Sequence, residues 1–158
     1  MMDNVVSMLQ RHPFVEDFQA RHVDTLGTLA TRVRFERNQV IFREGDDCSD
    51  FYLIVSGLVA LEIAVPSHTF RIQTLSAGHE LGWSALLMGR GKHFQARSLE
   101  RVEALCFDGG DLLATCKRDP EFGFVFMHRL LGVVSERLQA TRLQLTDTYS
   151  PVAKRAGA

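Results

Sequence analysis

The groups in this 158-residue chain that could do chemistry gather around one stretch, Gly82-Trp83-Ser84-Ala85-Leu86-Leu87-Met88-Gly89, with Arg90, Lys92, His93 and Arg97 just behind it. Its first five residues look like the start of a Gly-x-Ser-x-Gly elbow, which holds a nucleophilic serine on a sharp strand-to-helix turn. Leu86 stands where the second glycine belongs and no strand-helix repeat surrounds it, so hydrolysis, and enzymatic activity in general, is not expected. Asp46-Asp47 and Asp108-Gly109-Gly110-Asp111 lack the ligand spacing of a calcium loop and read as solvated turns. The six histidines form no His-x-x-x-His pair, so no dedicated metal site is expected. His79, Met88 or His93 could ligate a haem, which keeps a gas- or redox-sensor as an alternative. Cys48, Cys106 and Cys116 are odd in number and lack Cys-x-x-Cys spacing, as reduced structural thiols do.

The elements that must position this stretch follow from hydrophobic period. Between Asp17 and Thr31 apolar residues recur at Phe18, His22-Val23, Leu26 and Leu29-Ala30, one face of a helix, with His12-Pro13 separating it from a short first turn. From Val33 to about Asp108 the period is two: Val33 and Phe35, Val40 and Phe42, then Val59, Leu61, Ile63 and Val65, then Phe70, Ile72 and Thr74. Turn residues punctuate these runs at Glu36-Arg37-Asn38, Glu44 to Asp47, Ser56-Gly57, Pro66-Ser67-His68 and Ser76-Ala77-Gly78, the pattern of a β-sandwich and here a jelly roll. Gly82 to Gly89 breaks the alternation and reads as a single helical turn between glycines, with Ser84 able to N-cap it.

A short helix is expected over Gly110 to Lys117. Asp119-Pro120-Glu121 then opens a long one to about Thr146, some 40 Å at 1.5 Å per residue. Met127, Leu131, Val134, Leu138, Thr141 and Leu145 repeat at gaps of four and three, a coiled-coil seam, while Phe122, Phe126, Leu130 and Val133 add a second apolar face. The first half can pack on the sandwich while the seam meets a partner. The expected organisation is one domain: a helical segment at 1–32, a β jelly roll at 33–108 with the short helix 82–89 inside it, C-terminal helices at 110–147 including the dimer helix, and a flexible tail at 148–158.

The run Phe42-Arg-Glu-Gly45-Asp-Asp-Cys-Ser-Asp50-Phe-Tyr-Leu-Ile-Val-Ser-Gly57-Leu-Val-Ala-Leu resembles the hallmark segment of cyclic-nucleotide-binding domains: a glycine, a polar loop, Asp, two aromatics, a strand, a glycine and a second strand. Gly45 and Gly57 permit tight turns, and the strand between them is apolar on both faces. The order of elements from about Phe14 to Leu145 is similar to the same family, the catabolite-activator-like sensors. Gly82-Trp83-Ser84 with His93-Phe94-x-Ala96-Arg97 is similar to a stand-alone bacterial subgroup without the DNA-binding module.

The resemblance implies a fold that is mainly β with flanking helices, and it makes Gly82 to Leu87 the phosphate-binding cassette. In the family the free N–H groups of that turn face a cyclic phosphate, a Glu binds the ribose and a downstream Arg pairs with the phosphate. Gly82, Trp83, Ser84, Ala85 and Leu86 occupy the cassette here, Trp83 replaces the Glu, and counting back from Val102 puts Lys92 at the Arg position. His93 and Arg90 come next as candidates, and Arg97 is a further candidate or an exposed strand residue. Lys supplies charge without a bidentate fork, and Trp cannot accept a bond from a ribose hydroxyl. The expected ligand is a small anion, a cyclic nucleotide or another, with cyclic AMP and cyclic GMP bound weakly.

Composition bounds the class. A formal net charge of −1 gives no basic footprint for nucleic acid, and too few residues follow Leu145 for a helix-turn-helix module, so direct DNA binding is not expected. No apolar run approaches the roughly 20 residues a membrane span needs, and Met1 to Gln10 has no export pattern, so a cytoplasmic protein is expected. The expected function is a sensor domain signalling through a homodimeric C-terminal helix to a protein output partner. A dimeric adaptor without ligand is the alternative.

Overall fold

The computed structural model describes residues 4–47, 49–87 and 94–149. In chain order these form α1 (Val5–Gln10), a 3-10 turn (Pro13–Val15), α2 (Ala20–Leu29), β1 (Ala30–Phe35), β2 (Val40–Phe42), β3 (Asp50–Ser56), β4 (Val59–Ala64), β5 (Thr69–Leu75) and β6 (Glu80–Leu81). A second 3-10 turn (Trp83–Leu86), β7 (Gln95–Ser98), β8 (Val102–Asp108), α3 (Gly109–Arg118) and α4 (Pro120–Tyr149) follow. The strands make two antiparallel sheets, ordered β1-β8-β3-β6 and β2-β7-β4-β5. This is the expected mainly β sandwich with helices at both ends.

Several boundaries move. Helix α2 covers Ala20–Leu29 rather than Asp17 to Thr31, because Ala30 to Phe35 pair with Phe107 to Val102 along β8, so β1 begins three residues before Val33. Asp108 to Asp111 is not a solvated turn: the Asp108 carboxylate accepts the Asp111 N–H at 2.9 Å and N-caps α3, which Gly109 and Gly110 open. The phase of β5 also differs from a buried alternation, since Phe70 is 52% exposed on this edge strand.

Strand β3 explains why two cores exist. With side chains alternating across the sheet, Phe51 and Leu53 enter a cluster with Leu9, Phe14, Leu26, Leu105, Phe107, Phe122 and Phe126 on the helix side. Tyr52 and Ile54 enter the space between the sheets with Val59, Leu61, Leu75, Leu81, Ala96 and Ala104. The helix side is an aromatic group in which Phe14, Phe51 and Phe126 lie 5.4 to 5.9 Å apart between ring centres.

Helix α4 starts where the Asp119 carboxylate accepts the Phe122 N–H at 3.2 Å. Its stripe Phe122, Phe126, Leu130 and Val133 is buried against the sandwich. Three polar side chains further bind it to domain carbonyls: Arg129 to Phe14 at 3.2 Å, Arg137 to Glu80, and Gln144 to Ile72 at 2.7 Å. The seam expected to meet a partner is open: Leu131, Leu138 and Leu145 are exposed, Met127 and Val134 half-buried. No helix among the described residues is long and apolar enough to cross a membrane.

Candidate functional site

The chain leaves β6 through Gly82, whose φ of 80° lies in the left-handed region that a Cβ disfavours. This redirects Trp83–Leu86 into a 3-10 turn closed by Ala85 N–H to Gly82 O at 2.9 Å and Leu87 N–H to Ser84 O at 3.0 Å. Gly82 is its N-cap and makes no side-chain cap, so the expectation that Ser84 caps the turn is corrected: Ser84 sits inside it. Ala85 and Leu86 enter the helix-side core, among Phe51, Leu53, Leu105 and Phe107. There the Ala85 carbonyl abuts Gly109, where a Cβ would lie only 2.5 Å from it. The side chains of these two cassette residues therefore anchor the turn in that core, and Ala85 sets it against the start of α3.

Gly82, Trp83 and Ser84 do line a cavity. Its other walls are Phe42, Leu61, Leu81, Phe94 and Arg137, and it encloses about 370 Å³ of empty space counting its open mouth. Trp83 serves on both sides, lining the cavity and packing against the helix-side core. Arg137 arrives from α4, more than fifty residues downstream. Its guanidinium donates to the Glu80 carbonyl, and burial holds its pKa below the ordinary arginine value, opposed by the charges of Glu80 and Glu136. The Glu80 carboxyl is buried too, and burial raises its pKa against the opposing charges of Arg137 and Arg129.

Sequence reasoning missed Arg137 because no local motif surrounds it. The signal was present in the buried stripe of α4: after Phe122, Phe126, Leu130 and Val133 the next position on that face is Arg137, and further along it Gln144 reaches Ile72. A long polar side chain continuing a buried stripe is drawn toward whatever polar group the sheet offers. At β6 that group is the Glu80 carbonyl.

Arg97 and His79 lie outside the lining of this cavity. Arg97 is half-buried on the outer face of its sheet rather than an exposed strand residue. It donates to Glu62 at 3.1 and 2.7 Å and to Asn38 at 3.2 Å, while its neighbour Ala96 points inward beside Leu61. That bond lowers the Glu62 pKa. His79, a haem-ligand candidate, accepts the Ser76 N–H through Nδ1 at 2.9 Å. Met88, Arg90, Lys92 and His93 lie outside the described residues, as does Cys48. Asp46 accepts the Arg43 N–H at 2.8 Å in the turn expected of it.

The cavity thus opens at the end of a β6-turn segment, inside a two-sheet sandwich, beneath a long last helix. The family model described as cyclic nucleotide-binding domain matches residues 32–119, which is more than half of the 158 residues. This chain belongs to the cyclic nucleotide-binding domain family. Among curated proteins it is 30% identical over 114 residues to a Rhodopseudomonas palustris protein whose name assigns it to potassium channels. The match covers 72% of this chain and 27% of that protein, so the chain spans about a quarter of the relative's length.

Solved structures share the fold. A cyclic nucleotide-binding domain from Methylobacillus flagellatus superposes with a TM-score of 0.77 at 18% identity, over 94% of this chain and 82% of that one. The catabolite activator protein of Thermus thermophilus gives 0.70 at 25% identity, over 84% of this chain and 61% of that one. A cyclic nucleotide-binding domain of this architecture is a fold for regulatory sensing.

Proposed function

We propose that this protein is a regulatory sensor domain that binds a small anionic ligand in the cavity beside Gly82, Trp83 and Ser84 and passes the binding event to α4. The observation that carries the reading is that Trp83 and Arg137 line the same cavity, so the ligand site and the last helix share a wall. Lys92 belongs to the proposal as the family's basic position, with Arg90 and His93 beside it in sequence. The output runs through a homodimer seam of Met127, Leu131, Val134, Leu138 and Leu145, whose exposed members need cover in the assembled protein. The relative named for a potassium channel is consistent with a module that regulates a partner protein. The reading requires binding only, no catalysis, and a net charge of −1 favours no duplex DNA partner.

Trp83 occupies the position at which the family binds a ribose hydroxyl, so cyclic AMP and cyclic GMP are expected to bind weakly. The test is a thermal-shift screen of cyclic mono- and dinucleotides, nucleotides and organic acids, with Lys92→Ala and Trp83→Ala in parallel, alongside mass spectrometry of material co-purifying with the protein. A ligand that raises the midpoint in wild type and binds about ten- to a hundred-fold more weakly to Lys92→Ala supports the reading. A protein that no anion stabilises, and that carries none from the cell, is the ligand-less dimeric adaptor instead.

A further inference from the structure

We infer that the ligand is a small planar aromatic acid, its ring lodged among Phe42, Trp83 and Phe94 and its carboxylate held by the guanidinium of Arg137. This rests on the proposed ligand site and names both its chemical class and the residue that recognises it.

The lining argues for the ring. Among the described residues that bound the cavity, Phe42, Trp83 and Phe94 offer aromatic surface and Leu61 and Leu81 aliphatic surface, and the polar side chains are those of Ser84 and Arg137. No carboxylate or carboxamide among them stands ready to accept a sugar hydroxyl. Against those aromatic walls a flat apolar ring gains stacking and edge contacts. Most of the cavity's roughly 370 Å³ is open mouth, which limits the ligand to a single ring.

Arg137 argues for the acid. A guanidinium has five N–H donors in a planar fork, and here the bond it makes is to a neutral carbonyl, that of Glu80. The Glu80 carboxyl acts on it through space, and the guanidinium has N–H donors beyond the one that carbonyl accepts. A half-buried cation with donors to spare, facing an apolar cavity, is completed by a carboxylate accepting two parallel bonds. Gln144 and Arg129 hold α4 to the domain on either side of this point, so Arg137 is kept at the cavity wall by contacts that do not depend on the ligand.

Trp83 is the one tryptophan of the chain, so intrinsic fluorescence reads the cavity wall directly. The experiment titrates the full chain with benzoate and with the uncharged benzyl alcohol, in wild type, Arg137→Gln, Arg137→Lys and Lys92→Ala, adding cyclic AMP and inorganic phosphate as further anions. Benzoate should shift Trp83 emission with a dissociation constant of about 1 mM or below, and benzyl alcohol should bind at least about tenfold more weakly. Arg137→Gln should weaken benzoate about tenfold or more while changing benzyl alcohol less than about twofold, and Arg137→Lys should fall between.

Equal binding of acid and alcohol overturns the inference. So does an Arg137→Gln protein of unchanged melting temperature that loses both, since Arg137 would then shape the cavity without recognising charge. If cyclic AMP or phosphate binds and responds to Lys92→Ala but not to Arg137→Gln, the sensor reading stands and this inference falls. If no anion perturbs Trp83, both fall.

Discussion

Lowering the pH should expose the cost of burying His12, which is 5% exposed beside Ile54 of β3. Its ring is committed on both sides. The Phe14 N–H donates to Nδ1 at 3.1 Å, so Nε2 carries the proton and donates to the Ile54 carbonyl at 3.0 Å. Protonating Nδ1 would set two donors against each other in a buried site, and burial pushes the His12 pKa from 6.5 down to about 4, partly offset by its backbone partners. The sign follows from proton counting: between pH 6.5 and 4 the unfolded chain binds a proton at His12 that the folded chain refuses, so stability falls as pH drops through 6.5. At roughly 1.4 kcal/mol per pKa unit the complete loss is about 3 kcal/mol, of which about 2 kcal/mol is felt by pH 5. The Glu80 carboxyl, whose pKa is raised, contributes with the opposite sign as pH falls toward it.

The assay therefore compares wild type with His12→Gln, which keeps a donor near Ile54 without titrating. Urea unfolding of both at pH 7.5 and pH 5 isolates the histidine, because every other group is common to the two proteins. Wild type should lose about 2 kcal/mol more than the variant on acidification. Equal losses would refute the reasoning, since the buried ring would then titrate as it does in the unfolded chain.

Gly57 has φ of 97°, and a Cβ there would lie 2.3 Å from the Arg101 carbonyl, so Gly57→Ala should destabilise the domain by at least about 2 kcal/mol in denaturant unfolding. His22 is buried beside the Phe122 ring, and both its ring nitrogens lack a hydrogen-bond partner among the described residues. His22→Leu should accordingly raise stability by about 1 kcal/mol or more, read as a higher melting temperature. Leu131 and Leu138 are 66% and 64% exposed, so replacing both by Asp should leave the melting temperature of the isolated fold nearly unchanged while converting a dimer, on the order of tens of micromolar in light scattering, to monomer. A wild-type protein that is monomeric at that concentration removes the seam from the functional reading.

Local signals were enough for much of this architecture. The change from a three-to-four period to a period of two separated the opening helix from the strands. The apolar run Phe51 to Val55 required a strand buried on both faces, which β3 satisfies by feeding both cores. Asp119-Pro120 announced α4, and glycines around 82 announced the interruption that became the cavity's edge. These features are written in neighbouring residues, so capping, turn and periodicity rules reach them.

What the sequence by itself could not decide is which residues meet across the fold. The cassette residues were legible as a group, yet the tertiary packing divides their side chains: Gly82, Trp83 and Ser84 line the cavity, while Ala85 packs against Gly109 and Leu86 joins the helix-side core. Arg97 carried the right charge at a plausible distance in sequence, but strand pleating turns it to the outer face and onto Glu62. Arg137 lay outside every motif, and only the docking of α4 across β6 brings its guanidinium to Trp83. The helix period determined that Arg137 would face the domain. That it faces a cavity rather than a wall depends on where two sheets and a turn, far apart in sequence, leave space unfilled.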